Sequence, residues 1–197
     1  MKTDEYQALA MRTSPDGHDR ILNGCMGLIG ETGEIVDLVK KWKFQSGDNA
    51  ELPKDKLIDE CGDVLWYCAE LATGLNENLT ALFTQKNFFF DDLREINEET
   101  PLEITVLRLA AMAARPAMYL FDGLPAEIRN LSQGEIGRAY LEASAKAEIV
   151  GIMSTIRDIL SVHCQATLKA AMTRNIEKLR RRYPDGFDPE RSLHRDE

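Results

Sequence analysis

Residues 28–63, LIGETGEIVDLVKKWKFQSGDNAELPKDKLIDECGD, decide the fold of this chain. Glu31 and Glu34 lie three residues apart near the start of the stretch, and Glu60 and Asp63 lie three residues apart at its end. Positions i and i+3 are neighbours on the surface of a helix, so each pair is expected to project from one helical face. A short polar break separates the two segments. We therefore expect two antiparallel helices with four carboxylates converging between them.

Apolar residues recur at steps of three and four around both acidic pairs, which is the spacing of helices that bury one face. Gly30, Gly33 and Gly62 lie beside the acids inside these helical patterns. A glycine costs about 1 kcal/mol relative to alanine in a helix, which indicates that something comes close to the backbone there. The predicted apolar face of the second helix consists of Leu57, Ile58, Cys61, Val64, Leu65, Cys68, Leu71 and Ala72, and that of the first consists of Leu28, Ile35, Leu38, Val39 and Trp42.

The chemistry of the four acids favours a divalent cation. Carboxylate oxygens without histidine or cysteine select Mg²⁺ or Mn²⁺ over zinc. Mg²⁺ held by a few carboxylates keeps positions open for phosphates, so the implied partner is a nucleotide or another phosphoester. The alternative is that the acids only decorate solvated helix faces, because such spacings are common in a chain with 29% charged residues. None of the histidines completes an E-x-x-H spacing, which weakens a ferritin-like di-iron site.

Several short motifs resemble a known family. Residues 30–37, GETGEIVD, and residues 59–67, DECGDVLWY, are similar to the paired acidic motifs of the MazG-like nucleoside triphosphate pyrophosphohydrolases, in the all-α NTP pyrophosphatase superfamily. Residues 6–13, YQALAMRT, resemble the N-terminal opening of the family, and residues 175–187, NIEKLRRRYPDGF, resemble its closing signature. The superfamily often has a further glutamate just before the first acidic pair. This chain has Gly30 there, so a general-base role of that glutamate is not carried over.

The resemblance implies a MazG-like helical bundle and an enzyme. The expected reaction is the Mg²⁺-dependent hydrolysis of a ribo- or deoxynucleoside triphosphate to the monophosphate and pyrophosphate, by attack at the α-phosphorus, with Mn²⁺ as an alternative ion. The expected catalytic and metal-binding residues are Glu31, Glu34, Glu60 and Asp63. The expected substrate-binding residues are Asn175, Lys178, Arg182 and Tyr183.

Two clusters of basic residues have a structural and a functional interpretation. Lys40, Lys41 and Lys43 lie at the predicted C-terminal end of the first acidic helix, where the helix dipole favours cations. The same charge suits a phosphate, and Lys41 is our candidate substrate ligand in this cluster. Lys178 and Arg182 also lie near a helix end, but the family resemblance favours the nucleotide for these two residues.

Composition and charge limit the partners. The net charge of −9 disfavours non-specific binding to nucleic acid or to an anionic membrane. No apolar run reaches the roughly 18 residues of a membrane span, and the N-terminus lacks the apolar core of a signal peptide. We therefore expect a cytoplasmic protein. Cys61 and Cys68 belong to the apolar stripe and are predicted to be buried thiols.

The remaining sequence also predicts helices, because no stretch sustains an alternation of polar and apolar residues. Residues 1–197 are interpreted as a single all-α domain. A short helix and a turn are expected in residues 1–20, and another helix in residues 79–90, where three phenylalanines at 88–90 suggest core or interface. Capping boxes at Thr100 and Ser132 predict helix starts near Pro101 and Gln133, and Pro116 is expected to kink or end the first of these helices.

Two stretches of the chain suggest an internal duplication. Residues 62–87 and 151–175 both run from glycine to asparagine with similar apolar periodicity. We interpret residues 93–197 as a degenerate copy of residues 1–92, in which the acidic pair is lost. The alternative is that any two amphipathic helices align this well. A duplicated chain would be pseudo-dimeric with one active site, whereas the family implies a homo-oligomer, either a dimer or a tetramer.

Three alternatives to the general reaction stay open at this point. The base pocket could have a dUTPase-like or dCTPase-like specificity, or it could accept a modified or alarmone nucleotide. From another class of protein, the chain could be a non-catalytic helical interaction module. The four intact acids argue against the module, because clustered carboxylates repel one another without a cation.

Overall fold

The computed structural model describes residues 1–47, 50–84, 97, 99–121 and 134–193. Helices and their connections make up this part of the chain, which contains no β-strand, and the predicted all-α fold is confirmed. The elements are α1 (Thr3–Met11), α2 (Arg20–Gln45), α3 (Lys54–Gly74), α4 (Leu79–Thr84), α5 (Leu102–Ala113), α6 (Arg115–Leu120), α7 (Glu135–Asp158), a π-helical turn (Ile159–His163), α8 (Leu168–Arg182) and α9 (Pro189–Leu193).

The two acidic helices, α2 and α3, form an antiparallel hairpin as the sequence predicts. The Asp19 side chain caps α2 by accepting a hydrogen bond from the backbone N–H of Leu22 at 3.0 Å. The α3 helix begins directly after Pro53, and the chain leaves it through Asn76 in a left-handed conformation, with φ of 56°. The start of α2 therefore lies beside the end of α3, and the acids of both helices fall at the same level.

Glycines allow the two helices of the hairpin to approach each other closely. A Cβ atom on Gly24 would lie 2.8 Å from Cβ of Leu71, and one on Gly27 would lie 2.0 Å from the Tyr67 ring. Gly30 and Gly33, in contrast, have open space where a Cβ would be. The prediction that glycine marks a close approach is confirmed for Gly62, whose Cβ would meet Cβ of Asn175 at 3.0 Å, but not for Gly30 or Gly33.

The remaining helices cover the hairpin on several sides. The α5 helix packs on α2, the α7 helix packs on α3 and α5, and the α8 helix packs on α3. The α1 helix fills the space between α3 and α8, with Tyr6 and Ala10 completely buried. All four cysteines are free and buried, which confirms the prediction for Cys61 and Cys68. No helix in the described ranges is long and apolar enough to cross a membrane.

Helix α5 begins directly after Pro101, as the sequence predicts, but without the predicted cap. The predicted capping box at Thr100 is wrong, because its hydroxyl bonds to the backbone and side chain of Asn97 at 3.2 Å and no side chain caps α5. A helix break at Pro116 is confirmed, since α5 ends at Ala113 and α6 carries the proline in its first turn. Ser132 and residues 85–90, with the three phenylalanines, lie outside the described residues. The internal duplication stays a prediction.

Because Gly33 has open space and Gly24 is in tight contact, alanine substitutions at the two positions should change the free energy of unfolding in opposite directions. Gly24→Ala should lower the free energy of unfolding by about 1–3 kcal/mol, because the added methyl group meets the backbone of α3. Gly33→Ala should raise it by about 0.5–1 kcal/mol through its higher helix propensity. Urea denaturation of both variants measures these differences, and equal effects at the two positions would contradict the close approach described above.

Candidate active site

Three of the four predicted acids meet between α2 and α3. One carboxylate oxygen from each of Glu31, Glu60 and Asp63 lies within 4.8 Å of the others, and all three side chains are half-buried. Glu34 lines the same cavity without belonging to this cluster. The helical spacing explains the arrangement, because Glu31 faces α3 at the level where Glu60 and Asp63 face α2. Three converging carboxylates are a donor set suited to a hard divalent cation.

The acids open onto a cavity of about 630 Å³, within the size range of small-molecule sites. Helices α2 and α3 form one side of the cavity, and α8 with the segment that follows it forms the other. The residues that line it are Thr13, Pro15, Asn23, Gly30, Glu31, Glu34, Glu60, Asp63, Trp66, Tyr67, Lys178, Leu179, Arg182, Tyr183, Phe187 and Ser192. The predicted residues Lys178, Arg182 and Tyr183 therefore share one cavity with the acids.

Asp63 is held from the opposite wall of the cavity. The Lys178 ammonium group forms an ion pair with both carboxylate oxygens of Asp63. The amide of Asn175 donates a hydrogen bond to Oδ1 of Asp63 at 2.9 Å. Because Asn175 is only 3% exposed and does not line the cavity, its position is that of a residue that orients Asp63 rather than one that contacts substrate.

A second contact fixes the Asn175 amide. The Tyr6 hydroxyl donates to Oδ1 of Asn175 at 2.9 Å and also lies 3.3 Å from the Gly62 carbonyl. Since the amide oxygen accepts from the tyrosine, the amide nitrogen must face Asp63. Burial raises the pKa of Tyr6 well above its usual value, and the negative charge of Asp63 acts in the same direction, so the hydroxyl stays a donor.

The cluster changes the acidity of Glu60. Partial burial raises the pKa of the Glu60 carboxyl, and the neighbouring charge of Asp63 raises it further, while Lys178 opposes the shift. A carboxylate with a raised pKa is one whose charged form lacks compensation in the folded protein. A divalent cation placed between the three carboxylates would supply that compensation.

Aromatic residues line the same cavity as the acids. The Trp66 indole N–H donates to the Ala10 carbonyl at 3.1 Å and lies 3.0 Å from Oγ1 of Thr13. Tyr183 lies against Phe187 with a ring separation of 6.0 Å. These rings add apolar surface to a cavity that also contains acidic and basic side chains.

The structure places Lys41 differently from the other predicted residues. Lys40 and Lys41 both form ion pairs with Asp37 on the outer face of α2, and neither lines the cavity. The hydrogen bond that Lys41 donates to Asp37 raises the pKa of Lys41. Lys43 reaches across to Glu103 of α5 at 3.0 Å. The geometry of this lysine cluster therefore favours the structural interpretation over phosphate binding.

Sequence analysis missed a polar cluster around Glu70, which is completely buried in α3. Its carboxylate accepts from Arg20 at 2.9 Å, from Ser14 at 3.1 Å and from Asn23 at 3.3 Å, and it also contacts His18. One signal was present in the sequence. Glu70 lies seven residues after Asp63 and therefore continues the acidic face of α3 by two helical turns.

Fold and site together define an all-α protein with a carboxylate cluster that faces a cavity containing basic and aromatic residues. Residues 22–85 match the model of the MazG nucleotide pyrophosphohydrolase domain. The Gene 37 protein of Mycobacterium phage L5 is 44% identical over 95 residues, which cover 44% of this chain and 82% of that protein. The chain belongs to the MazG family. No solved structure is significantly similar to it.

The family match covers only one wall of the cavity. Residues 22–85 include all four predicted acids, whereas Asn175, Lys178 and Arg182 lie far beyond this range. The structure joins the two parts through the contacts of Asp63 with α8. The MazG family consists of nucleotide pyrophosphohydrolases. Membership of this family supports, in general terms, an enzyme that hydrolyses nucleotides.

The raised pKa of Glu60 predicts an effect on stability in the absence of metal. The folded state holds the Glu60 proton more tightly than the unfolded state, so stability falls as the pH rises through the folded-state pKa. Glu60→Gln should therefore raise the melting temperature of the chelator-treated protein at pH 7. Glu51→Gln, at an exposed position, removes the same charge and should have little effect. Scanning calorimetry between pH 4 and 8 tests this, and a lower melting temperature for Glu60→Gln would contradict it.

Proposed function

We propose that the chain is a Mg²⁺-dependent nucleoside triphosphate pyrophosphohydrolase that releases a nucleoside monophosphate and pyrophosphate by attack at the α-phosphorus. The observation that carries the proposal is the cluster of Glu31, Glu60 and Asp63 in a cavity whose opposite wall supplies Lys178 and Arg182. Carboxylates alone would repel a triphosphate, and cations alone would not position a divalent ion. Their combination in one cavity matches the needs of a metal–nucleotide complex.

The residues present fit a hard divalent cation. The cluster offers only oxygen donors, and the raised pKa of Glu60 reflects a negative charge that lacks compensation. When bound, Mg²⁺ would offset the charge of the triphosphate and lower the pKa of the attacking water. Glu31, Glu60 and Asp63 would hold the ion, and Glu34 would join them from its position on the cavity wall.

Lys178 has two successive partners in this proposal. Without nucleotide its ammonium group neutralises Asp63. When Asp63 takes up its role as a metal ligand, the freed ammonium group can contact a phosphate oxygen within the same cavity. Arg182, one helical turn further along α8, adds a planar guanidinium that suits a second phosphate contact in the same cavity. Asn175 keeps Asp63 in place throughout, because its amide hydrogen bond does not depend on Lys178.

Product analysis tests the proposed reaction. The protein is incubated with Mg²⁺, ¹⁸O-labelled water and a panel of ribo- and deoxynucleoside triphosphates, and the products are separated by anion exchange. We expect monophosphate and pyrophosphate, with the label in the monophosphate, because water attacks the α-phosphorus. Glu31→Gln should reduce the rate at least about 100-fold with unchanged helical circular dichroism.

Other product patterns would contradict the proposal. Diphosphate and phosphate would place the attack at the γ-phosphorus, and label in the pyrophosphate would place it at the β-phosphorus. Hydrolysis that continues in a chelator would overturn the role of Mg²⁺. Turnover of a modified or alarmone nucleotide alone would narrow the substrate class, and the absence of both turnover and nucleotide binding would favour a helical interaction module. A homodimer or homotetramer stays a proposal from the family.

The ion pair between Lys178 and Asp63 predicts opposite effects on metal binding and on turnover. Lys178→Met removes the competitor for Asp63, so Mg²⁺ should bind the nucleotide-free protein up to about fivefold more tightly, equivalent to about 1 kcal/mol. Turnover should fall by about 10²–10³-fold through the loss of a phosphate contact. Lys41→Met is the matched control and should change neither quantity, because Lys41 lies outside the cavity. Titration calorimetry with Mg²⁺ measures the affinity, and weaker binding to Lys178→Met would contradict the exchange.

A further inference from the structure

The cluster of Glu70 with Arg20, Ser14, His18 and Asn23 contacts the cavity through one of its residues. Glu70 itself does not line the cavity and has no part in the proposed reaction. Its Oε2 atom pairs with Arg20, and its Oε1 atom accepts from Ser14 and from Asn23 and also contacts Nε2 of His18. Of these partners, Asn23 is the one that also lines the cavity. The cluster thus connects a buried, charge-compensated carboxylate to a single side chain that a ligand can reach.

The contact with Glu70 fixes which way the Asn23 amide points. A carboxylate that forms an ion pair with an arginine only accepts hydrogen bonds, so the amide nitrogen of Asn23 must be the atom that faces it. A flipped amide would place two oxygens against each other beside a buried charge. The amide oxygen, Oδ1, is therefore the acceptor that Asn23 offers to the cavity.

Asn23 lies at the end of the cavity remote from the metal ligands. It precedes Glu31 by eight residues of one continuous helix, a distance of about 12 Å along the helix axis. Trp66 lies on α3 between Asp63 and Glu70, and its hydrogen bond to Thr13 keeps this wall of the cavity in place. If the α-phosphate lies at the carboxylates, a nucleoside that extends along α2 toward Asn23 passes Trp66, an aromatic residue that lines the cavity. This step rests on the proposed function, which places the triphosphate.

We infer that Asn23 is a specificity-determining residue that accepts a hydrogen bond from an exocyclic amino group of the nucleobase. The cavity then prefers a nucleotide of cytosine or adenine over the matching nucleotide of uracil or hypoxanthine. The two members of each pair differ in having an amino group or a carbonyl group at one position of the ring, with an acceptor nitrogen or an N–H, respectively, at the neighbouring position. A carbonyl at that position would face Oδ1 of Asn23 and leave both acceptors unsatisfied.

Matched substrate pairs test the inference in the wild-type protein. We expect kcat/KM to be at least about tenfold higher for dCTP than for dUTP, or for dATP than for dITP, the size expected for one hydrogen bond and its unsatisfied counterpart. The pair that shows the difference identifies the base. Ratios within twofold of unity for both pairs would overturn the inference, whatever the variants show.

A substitution at Asn23 tests whether this residue is the cause. Asn23→Ala should bring the discriminating ratio close to unity while the rate for the less favoured base stays within about threefold. Met26→Ala, one turn along α2 at an exposed position outside the cavity, is the control and should keep the wild-type ratio. A ratio that survives in a folded Asn23→Ala protein would overturn the assignment.

A substitution at Glu70 separates positioning from general damage. In Glu70→Gln the amide oxygen stays with Arg20, so the new NH₂ group takes the place of Oε1 next to Asn23. The Asn23 amide should then flip and offer its nitrogen to the cavity, which lowers the preferred ratio or inverts it toward dUTP or dITP. A merely structural role of Glu70 would lower all rates together and leave the ratio unchanged, and that result would overturn the positioning role.

Binding measurements distinguish failure of this inference from failure of the proposed function. Titration calorimetry with the α,β-methylene analogues of dCTP, dUTP, dATP and dITP measures the affinity for each base in the absence of turnover. Hydrolysis with no base preference overturns the role of Asn23 and leaves the pyrophosphohydrolase proposal in place. If the protein binds one base preferentially, Asn23→Ala abolishes this preference and no nucleotide is hydrolysed, the role of Asn23 is supported and the proposed reaction is overturned. Equal affinities for all four analogues overturn the inference.

Discussion

The close approach of α2 and α3 is the constraint on which the rest of the structure depends. At Gly24 and Gly27 the two helices leave no room for a Cβ atom on α2. This contact fixes the axial register of the two helices. The register in turn brings Glu31 of α2 opposite Glu60 and Asp63 of α3. A hairpin with bulkier residues at these two positions would separate the helices and spread the carboxylates apart.

Bringing carboxylates together has an electrostatic cost that the chain offsets with distant residues. Lys178 and Asn175 approach Asp63 from α8, and Tyr6 of α1 holds the Asn175 amide. Glu60 receives less compensation, and its raised pKa shows where the negative charge is least balanced. The negative charge of Asp63 is therefore compensated by Lys178 and Asn175, whereas the charge of Glu60 is compensated less. This difference favours the binding of a cation near Glu60.

The sequence predicted the parts of the molecule that depend on local periodicity. The acidic spacing and the apolar stripe were sufficient for the α2–α3 hairpin, because i, i+3 and i+4 relations are fixed by helix geometry. The contacts of Asn175 and Lys41 were not accessible in this way. Asn175 contacts Asp63 only because α8 packs on α3, and Lys41 turns to Asp37 because an acid four residues earlier lies nearer than the cavity.

The glycines and Glu70 show where a local pattern was informative but incomplete. Glycine beside an acid suggested a close approach, yet only packing reveals that Gly24, Gly27 and Gly62 meet neighbours while Gly30 and Gly33 do not. Glu70 repeats the spacing of the acidic face, but its burial and its contact with Arg20 depend on the chain segment between α1 and α2. In both examples, the local environment of the residue depends on tertiary contacts that the sequence pattern does not show.

The contact between Asp63 and Lys178 joins residues that are 115 positions apart. During synthesis on the ribosome, the acidic hairpin leaves the exit tunnel long before its compensating cation has been translated. A nascent chain at that stage carries Glu31, Glu60 and Asp63 without the Lys178 ammonium group that pairs with Asp63 in the complete fold. Helix α8 is thus translated well after the acidic hairpin, and a ribosome that stalls before Asn175 carries the three acids without the basic wall of the cavity.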